Sequence, residues 1–208
     1  MEETFRFKPH QKFYLVVKRG LDILISGLLI LLGCIPMGIF ALITMATSRG
    51  PALFHQPRLG KNEVPFTVIK FRSMKADAPQ IATSDLPPEE AKHYVTKWGN
   101  FMRRTSIDEL PQLFTIFIGK MSFIGPRPCQ DENHEGVLVH ARRAQNPNAF
   151  MIKPGLSGLA QVKLHRDHDP VRKAELDSEY IRKISFWMDF KVFFGSFGVI
   201  FNSGGRAK

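Results

Sequence analysis

At 208 residues the chain is long enough for one domain with a substantial core plus a small membrane appendage. Lysine and arginine outnumber the acids 29 to 19, a formal net charge of +10, so an anionic partner is expected: a phosphorylated small molecule, an anionic lipid surface or nucleic acid. No helix-turn-helix, RNP or zinc-finger pattern supports nucleic acid. The two cysteines offer neither a zinc spacing nor a disulfide, because Cys34 lies inside an apolar run far from Cys129.

The N-terminal stretch Phe5 to Val17 mixes aromatics with lysines and Arg6 and reads as an interfacial helix or strand. Ile23 to Ala46 then runs 24 residues without a charge, enough for a helix to cross ~30 Å of hydrocarbon. It lacks a small-residue cleavage site and is no signal peptide. As a core helix it would need a larger soluble domain to cover it on all sides. Pro36, with Gly33 before it and Gly38 after it, predicts a kink. Lys8, Lys12, Lys18 and Arg19 precede the run, and Arg49, Arg58 and Lys61 follow it. Basic flanks favour the cytoplasmic side, so a helix hairpin kinked at Pro36, entering and leaving through one leaflet, suits both ends better than a straight span. Asp22 is expected at headgroup depth beside Lys18 and Arg19.

The chain therefore divides into a membrane-associated segment, 1–48, and a globular domain, 49–208. The predicted class is α/β (α+β), a mostly helical small domain with a short sheet and interfacial helices. Val64 to Phe71 reads as a strand, and Ala76 to Glu90, with three prolines, as a loop. Helices are predicted over Tyr94–Met102, Leu110–Ile118 (ended by Gly119-Lys120), Asn133–Ala144 and Arg172–Ile184. Gly125-Pro126-Arg127-Pro128 is a rigid turn. Lys153 to Gly158 is another turn, leading into Leu159–Val162 as a short strand. Phe186 to Phe201 is apolar but interrupted by Asp189, Lys191 and two glycines, which suits an interfacial helix or a core helix. His165, Asp167, His168 and Asp169 have a short metal-like spacing, but no second cluster accompanies them.

The chemistry concentrates in Arg103-Arg104-Thr105-Ser106-Ile107-Asp108-Glu109-Leu110-Pro111-Gln112-Leu113. Ser106 to Glu109 matches a capping box, with Ser106 at the N-cap and Glu109 reaching back. Pro111 favours instead a helix starting at Asp108, where no bond is lost. Both versions put the carboxylates at a helix start, whose dipole favours their ionised form. An ionised aspartate can attack phosphorus once the phosphate's charge is neutralised, and magnesium does so using one or two carboxylates plus phosphate oxygens. Adjacent helical residues diverge by about 100°, so Asp108 and Glu109 divide the work: one attacks, the other holds the metal or manages a proton. Lys70 and Arg72 close the predicted strand, Arg103 and Arg104 precede the pair, and Arg127 sits in the proline turn. Together they make a diphosphate-binding set.

These segments, with Lys18-Arg19 and Asp22, Gly50-Pro51, Gln56 and Arg58, Lys70-Phe71-Arg72-Ser73-Met74, Gly119-Lys120-Met121-Ser122, Gly125-Pro126-Arg127-Pro128, Lys153-Pro154-Gly155, Gln161-Val162, and Asp177 with Tyr180, resemble the bacterial sugar transferases, monotopic polyprenyl-phosphate phosphoglycosyl transferases, over nearly the whole chain. The resemblance implies transfer of a sugar phosphate from a UDP-sugar to polyprenyl phosphate, releasing UMP. Asp108 would be the nucleophile, forming a covalent phosphosugar intermediate, and Glu109 would support magnesium, with manganese as a substitute. Both acids are the expected metal ligands. Lys70, Arg72, Arg103, Arg104 and Arg127 would neutralise phosphate, with Gln112, Gln161 and Asp177 in nucleotide or structural duty. The implied setting is the cytoplasmic face of a bacterial plasma membrane, in contact with lipid and without nucleic acid; self-association as a homodimer is left open. Three segments differ from the common pattern: Ile35 before Pro36, Val95–Gly99, and Lys163-Leu164-His165. The non-enzyme alternative is a membrane-anchored scaffold that binds anionic ligands.

Overall fold

Helix α1 (Pro9–Thr47) is the longest element of the computed structural model, which describes residues 5–75, 77–79, 93–164 and 169–204. Pro9 occupies its first turn, where the missing N–H costs nothing. The stretch expected to break at Pro36 is one continuous helix with that proline inside it. The hairpin β1 (Leu53–Leu59) and β2 (Pro65–Phe71) follows, antiparallel from Leu53↔Phe71 to Leu59↔Pro65. The β2 strand is as predicted, whereas β1 is an addition. Pro57 sits inside β1, and a two-stranded sheet is all edge, where a proline is tolerated.

Helix α2 (Lys97–Thr105) starts at Thr96, whose hydroxyl accepts from Gly99 N, and leads through a 3-10 turn (Ile107–Glu109) to α3 (Gln112–Phe117). The capping box does not form. Ser106 is left-handed (φ 57°), its side chain caps nothing, and α3 begins only after Pro111 at its N-cap. Then come β3 (Ser122–Ile124), α4 (Glu132–Arg143), β4 (Gly155–Ser157), α5 (Leu159–Leu164), α6 (Pro170–Arg182) and α7 (Phe186–Gly204). Strands β3 and β4 pair in parallel. A Cβ at Gly155 would lie 2.1 Å from Gly125 N, so this pairing requires glycine.

The strand predicted over Leu159–Val162 is instead the start of α5. Leu, Ala, Gln and Lys are all strong helix formers, and burial of Leu159 and Ala160 beside Leu176, Tyr180 and Ile181 decides the outcome. The remaining predicted helices fall on α2, α3, α4 and α6 with ends moved by a few residues. Most of the predicted loop 76–90, and His165, Asp167 and His168, lie outside the described residues; Asp169 caps α6 by accepting from Val171 N.

The main core joins Ile124, Ile152, Leu159, Leu176, Tyr180, Ile181, Ile184 and Val192, with Tyr14 and Leu15 of α1 against it. A second cluster joins Met37 of α1 to Phe71 and Met102. Both halves of α1 are thus docked on the domain. Between them the helix is largely exposed, with Leu31 at 71% and Ile35 at 73%. Its most apolar 18-residue window is only 11% buried, which rules out a core helix. Among the described residues it is the one helix long and apolar enough to cross a membrane.

Polar groups lock this docking. Asp189 of α7 accepts hydrogen bonds from Tyr14 Oη (2.7 Å) and Tyr180 Oη (2.6 Å), and it pairs with Lys18. Asp22 accepts from Ser122 Oγ (3.1 Å) and Phe123 N (3.2 Å). Arg19 donates to the Ile116 and Phe117 carbonyls (2.7 and 2.8 Å), and Arg72 to those of Ser48 and Arg49 (2.6 and 2.9 Å). Each arginine thereby binds carbonyls at a helix end, Arg19 adding to the bond that Gly119 N already makes to Ile116. Lys18 and Asp22 are buried, not placed on headgroups as the sequence suggests.

Candidate active site

The acidic pair stands just after the chain leaves α2. After α2 the left-handed Ser106 turns the backbone, and the 3-10 turn projects Asp108 and Glu109 toward β2 and the proline turn. Glu109 Oε1 accepts from Lys70 Nζ at 2.8 Å and from Arg127 at 2.6 Å. Those two cations explain the failed capping box: a carboxylate gains more from two charged donors than from one backbone N–H. Burial of Glu109 opposes its ionisation, but Arg127 and then Lys70 outweigh it and hold the carboxyl at about 2. Asp108 goes the other way. Burial raises its pKa, the adjacent Glu109 raises it further, and Lys70, Arg103 and Arg127 only partly offset this.

Both carboxylates line a cleft of about 980 Å³, and Lys70, Arg72, Arg103, Arg127 and Gln161 line it too. Arg103 is held by its Nε–H donating to Ser73 Oγ at 2.7 Å. Arg72 reaches the wall, but its terminal nitrogens are committed to the end of α1. Gln161 Oε1 is buried and, among the described residues, accepts no hydrogen bond.

Three predicted residues lie elsewhere. Arg104 is exposed and does not line the cleft, because consecutive residues of α2 point about 100° apart. Gln112 is buried behind the wall. Asp177 forms an interior ion pair with Arg142 (2.6 Å), side chains 1% and 5% exposed. Arg142 also donates to the Arg127 carbonyl at 3.0 Å, so the pair braces the proline turn from behind.

The cleft also takes in residues the sequence reading did not single out: His55 from β1, Ser157 from β4, and Phe193, Ser196 and Phe197 from α7. Gln56 and Arg58 enter it as well, with Arg58 paired to Glu135 at 3.1 Å. The alternation of β1 was the available signal, and Pro57 obscured it.

A metal must fit this donor set. Among the described residues no group of three or more His, Cys, Asp and Glu could hold an ion alone. Asp108 and Glu109 are two hard-oxygen donors, and Glu109 meets Lys70 and Arg127 through Oε1. That suits magnesium shared with substrate phosphates, not a closed protein cage.

The model of the family described as bacterial sugar transferase matches residues 13–203. The chain belongs to that family. It is 38% identical over 197 residues to an undecaprenyl-phosphate glucose phosphotransferase of Komagataeibacter xylinus, covering 90% of this chain and 36% of that protein. It is 36% identical over 188 residues to a UDP-glucose:undecaprenyl-phosphate glucose-1-phosphate transferase of Escherichia coli K12, covering 86% and 39%. It is 35% identical over 200 residues to a UDP-N-acetylgalactosamine-undecaprenyl-phosphate N-acetylgalactosaminephosphotransferase of Aeromonas hydrophila, covering 92% and 45%. The chain thus spans less than half the length of each of these three relatives. Their names carry two different sugars, so membership of the bacterial sugar transferase family does not fix the sugar.

Proposed function

We propose that the protein transfers a sugar 1-phosphate from a UDP-sugar to polyprenyl phosphate at a membrane surface, an initiating step of glycan assembly. The observation that carries this reading is the convergence of Asp108, Glu109, Lys70, Arg103 and Arg127 on one cleft beside a helix that exposes its apolar length.

In the first step an Asp108 carboxylate oxygen bonds to the sugar-bearing phosphorus, and the bond from that phosphorus to the bridging oxygen breaks, releasing UMP. In the second, an oxygen of polyprenyl phosphate bonds to the same phosphorus and Asp108 leaves as carboxylate. The product is polyprenyl diphosphate sugar, and no proton is stranded. Asp108 suits the attack because burial and Glu109 make its carboxylate more basic than usual. Glu109 fixes Lys70 and Arg127 where the diphosphate charge falls. Asp108 and Glu109 would hold magnesium, which would neutralise phosphate charge and stabilise the leaving oxygen. Gln161 Oε1 offers an acceptor for a donor hydroxyl. The apolar surface that α1 exposes between its two docked halves, Leu28 to Ile35, would lie in one leaflet, with the domain on the cytoplasmic side.

The test is to incubate the protein with magnesium and single UDP-sugars, without acceptor, measuring UMP and the intact mass. One UMP per protein and a sugar-phosphate adduct on Asp108 are expected. A folded protein that forms neither with any sugar would overturn the reading and leave the scaffold.

A further inference from the structure

An amphiphilic acceptor sets a geometric problem. Its phosphate must reach Asp108, while each CH₂ drawn out of lipid costs about 0.8 kcal/mol. The entry path must therefore be a surface that is both apolar and continuous with the cationic cleft. Helix α1 exposes the most apolar area, but none of its residues lines the cleft. Helix α7 meets both conditions. Phe193 and Phe197 line the cleft and are 46% and 44% exposed. They continue an aromatic row on the same helix, with ring centroids 4.4 Å apart for Phe190–Phe194, 5.3 Å for Phe193–Phe194 and 5.0 Å for Phe193–Phe197. Trp187, at the start of that row, is 68% exposed.

The placement of α7 is built in. A Cβ at Gly195 would lie 2.5 Å from Val162 Cγ1, so glycine lets α7 press against α5. One residue later Ser196 Oγ donates to the Val192 carbonyl (2.7 Å) and meets Ser157 Oγ at 2.5 Å, joining α7 to β4 at the cleft wall.

We propose that α7 is a lateral lipid portal: the isoprenoid tail of the acceptor lies along its aromatic row and crosses Phe193 and Phe197, which place the acceptor phosphate in the cleft. The cleft then has two entrances, the nucleotide sugar arriving from water beside β1 and β2, the lipid arriving sideways along α7. This rests on the transferase reading above, and the two can fail separately. Acceptor-free UMP release reports on Asp108 alone, whereas the portal concerns only the acceptor.

The experiment compares a short and a long polyprenyl phosphate of equal headgroup with wild type and Phe193→Ala/Phe197→Ala. Wild type is expected to show a lower acceptor KM for the long chain. The double variant should raise the long-chain KM about tenfold, each half-exposed ring contributing part of its transfer energy, and should bring the two acceptors together. A chain-length preference that is absent in wild type, or retained in full by the variant, overturns the portal. Should the variant fail to fold, a long polyprenyl phosphate with a photoreactive tail, used on wild type in membranes, decides the matter. Label is expected on the peptide that begins after Lys191. Label confined to α1, or an α7 face cross-linked to a second copy and closed to lipid, overturns the proposal.

Discussion

Asp108 and Glu109 are neighbours in sequence with opposite electrostatic fates, and that contrast yields separable predictions. In Asp108 the ionised form is disfavoured by burial and by Glu109, so the folded protein carries a cost at neutral pH. Asp108→Asn should abolish adduct formation and lower turnover by at least about a thousandfold, yet raise the melting temperature. Loss of activity with unchanged or lower stability would contradict the assigned environment. Glu109 is depressed from 4.5 to about 2, with its side chain 17% exposed. A depressed carboxylate stabilises the fold above its unfolded pKa, and this is lost as pH falls from about 4.5 towards 2. Glu109→Gln should therefore lose on the order of 2–3 kcal/mol in chemical denaturation at pH 7 and almost nothing near pH 2. The proposed reaction has a different acid limit: an attacking Asp108 must be ionised, and its raised pKa should put the acid limb of the rate profile above the ordinary aspartate value of 3.8. The cations of the site were legible as residue types at element ends. Their pairing was not, because Lys70 and Glu109 lie 39 positions apart and only folding brings them to 2.8 Å.

Among the elements, α1 and α7 show how far composition reaches. The apolar run announces a helix with exposed apolar faces, and one is present. Composition did not show what the flanking polar residues do, since a lysine before an apolar run looks the same whether it meets a headgroup or a buried aspartate. Asp189 accepts from Tyr14 and Tyr180 and pairs with Lys18. Asp189→Ala would strip these three groups of their shared carboxylate in a largely buried site, at a cost of about 3 kcal/mol. A denaturation midpoint in detergent equal to wild type would show that the network does not hold α1 to α7. Helix α5 was misread as a strand because six residues carry too little periodicity to outweigh one valine. The 3-10 turn at Asp108 was misread for the opposite reason: a good local capping pattern was overruled by two distant cations.

Taken whole, the molecule puts a cationic cleft beside a helix that exposes apolar surface along its length. With Cys34→Ser as background and Cys129 left buried, cysteines introduced one at a time at Lys8 and Arg49, the two ends of α1, should both react with an impermeant maleimide from one side of sealed vesicles. Labelling from opposite sides would make α1 a straight span. The net charge of +10, the long apolar helix and the ordered acidic and basic motifs were determined by the sequence itself, because they depend on composition and short-range spacing. Tertiary structure alone decided that Asp177 is a brace, that Arg19 and Arg72 close helix ends, and that Phe193 and Phe197 share a cleft with Asp108. The physical reason is that burial and partner choice are long-range properties: a charge is functional or structural according to what the fold places within 3 Å of it.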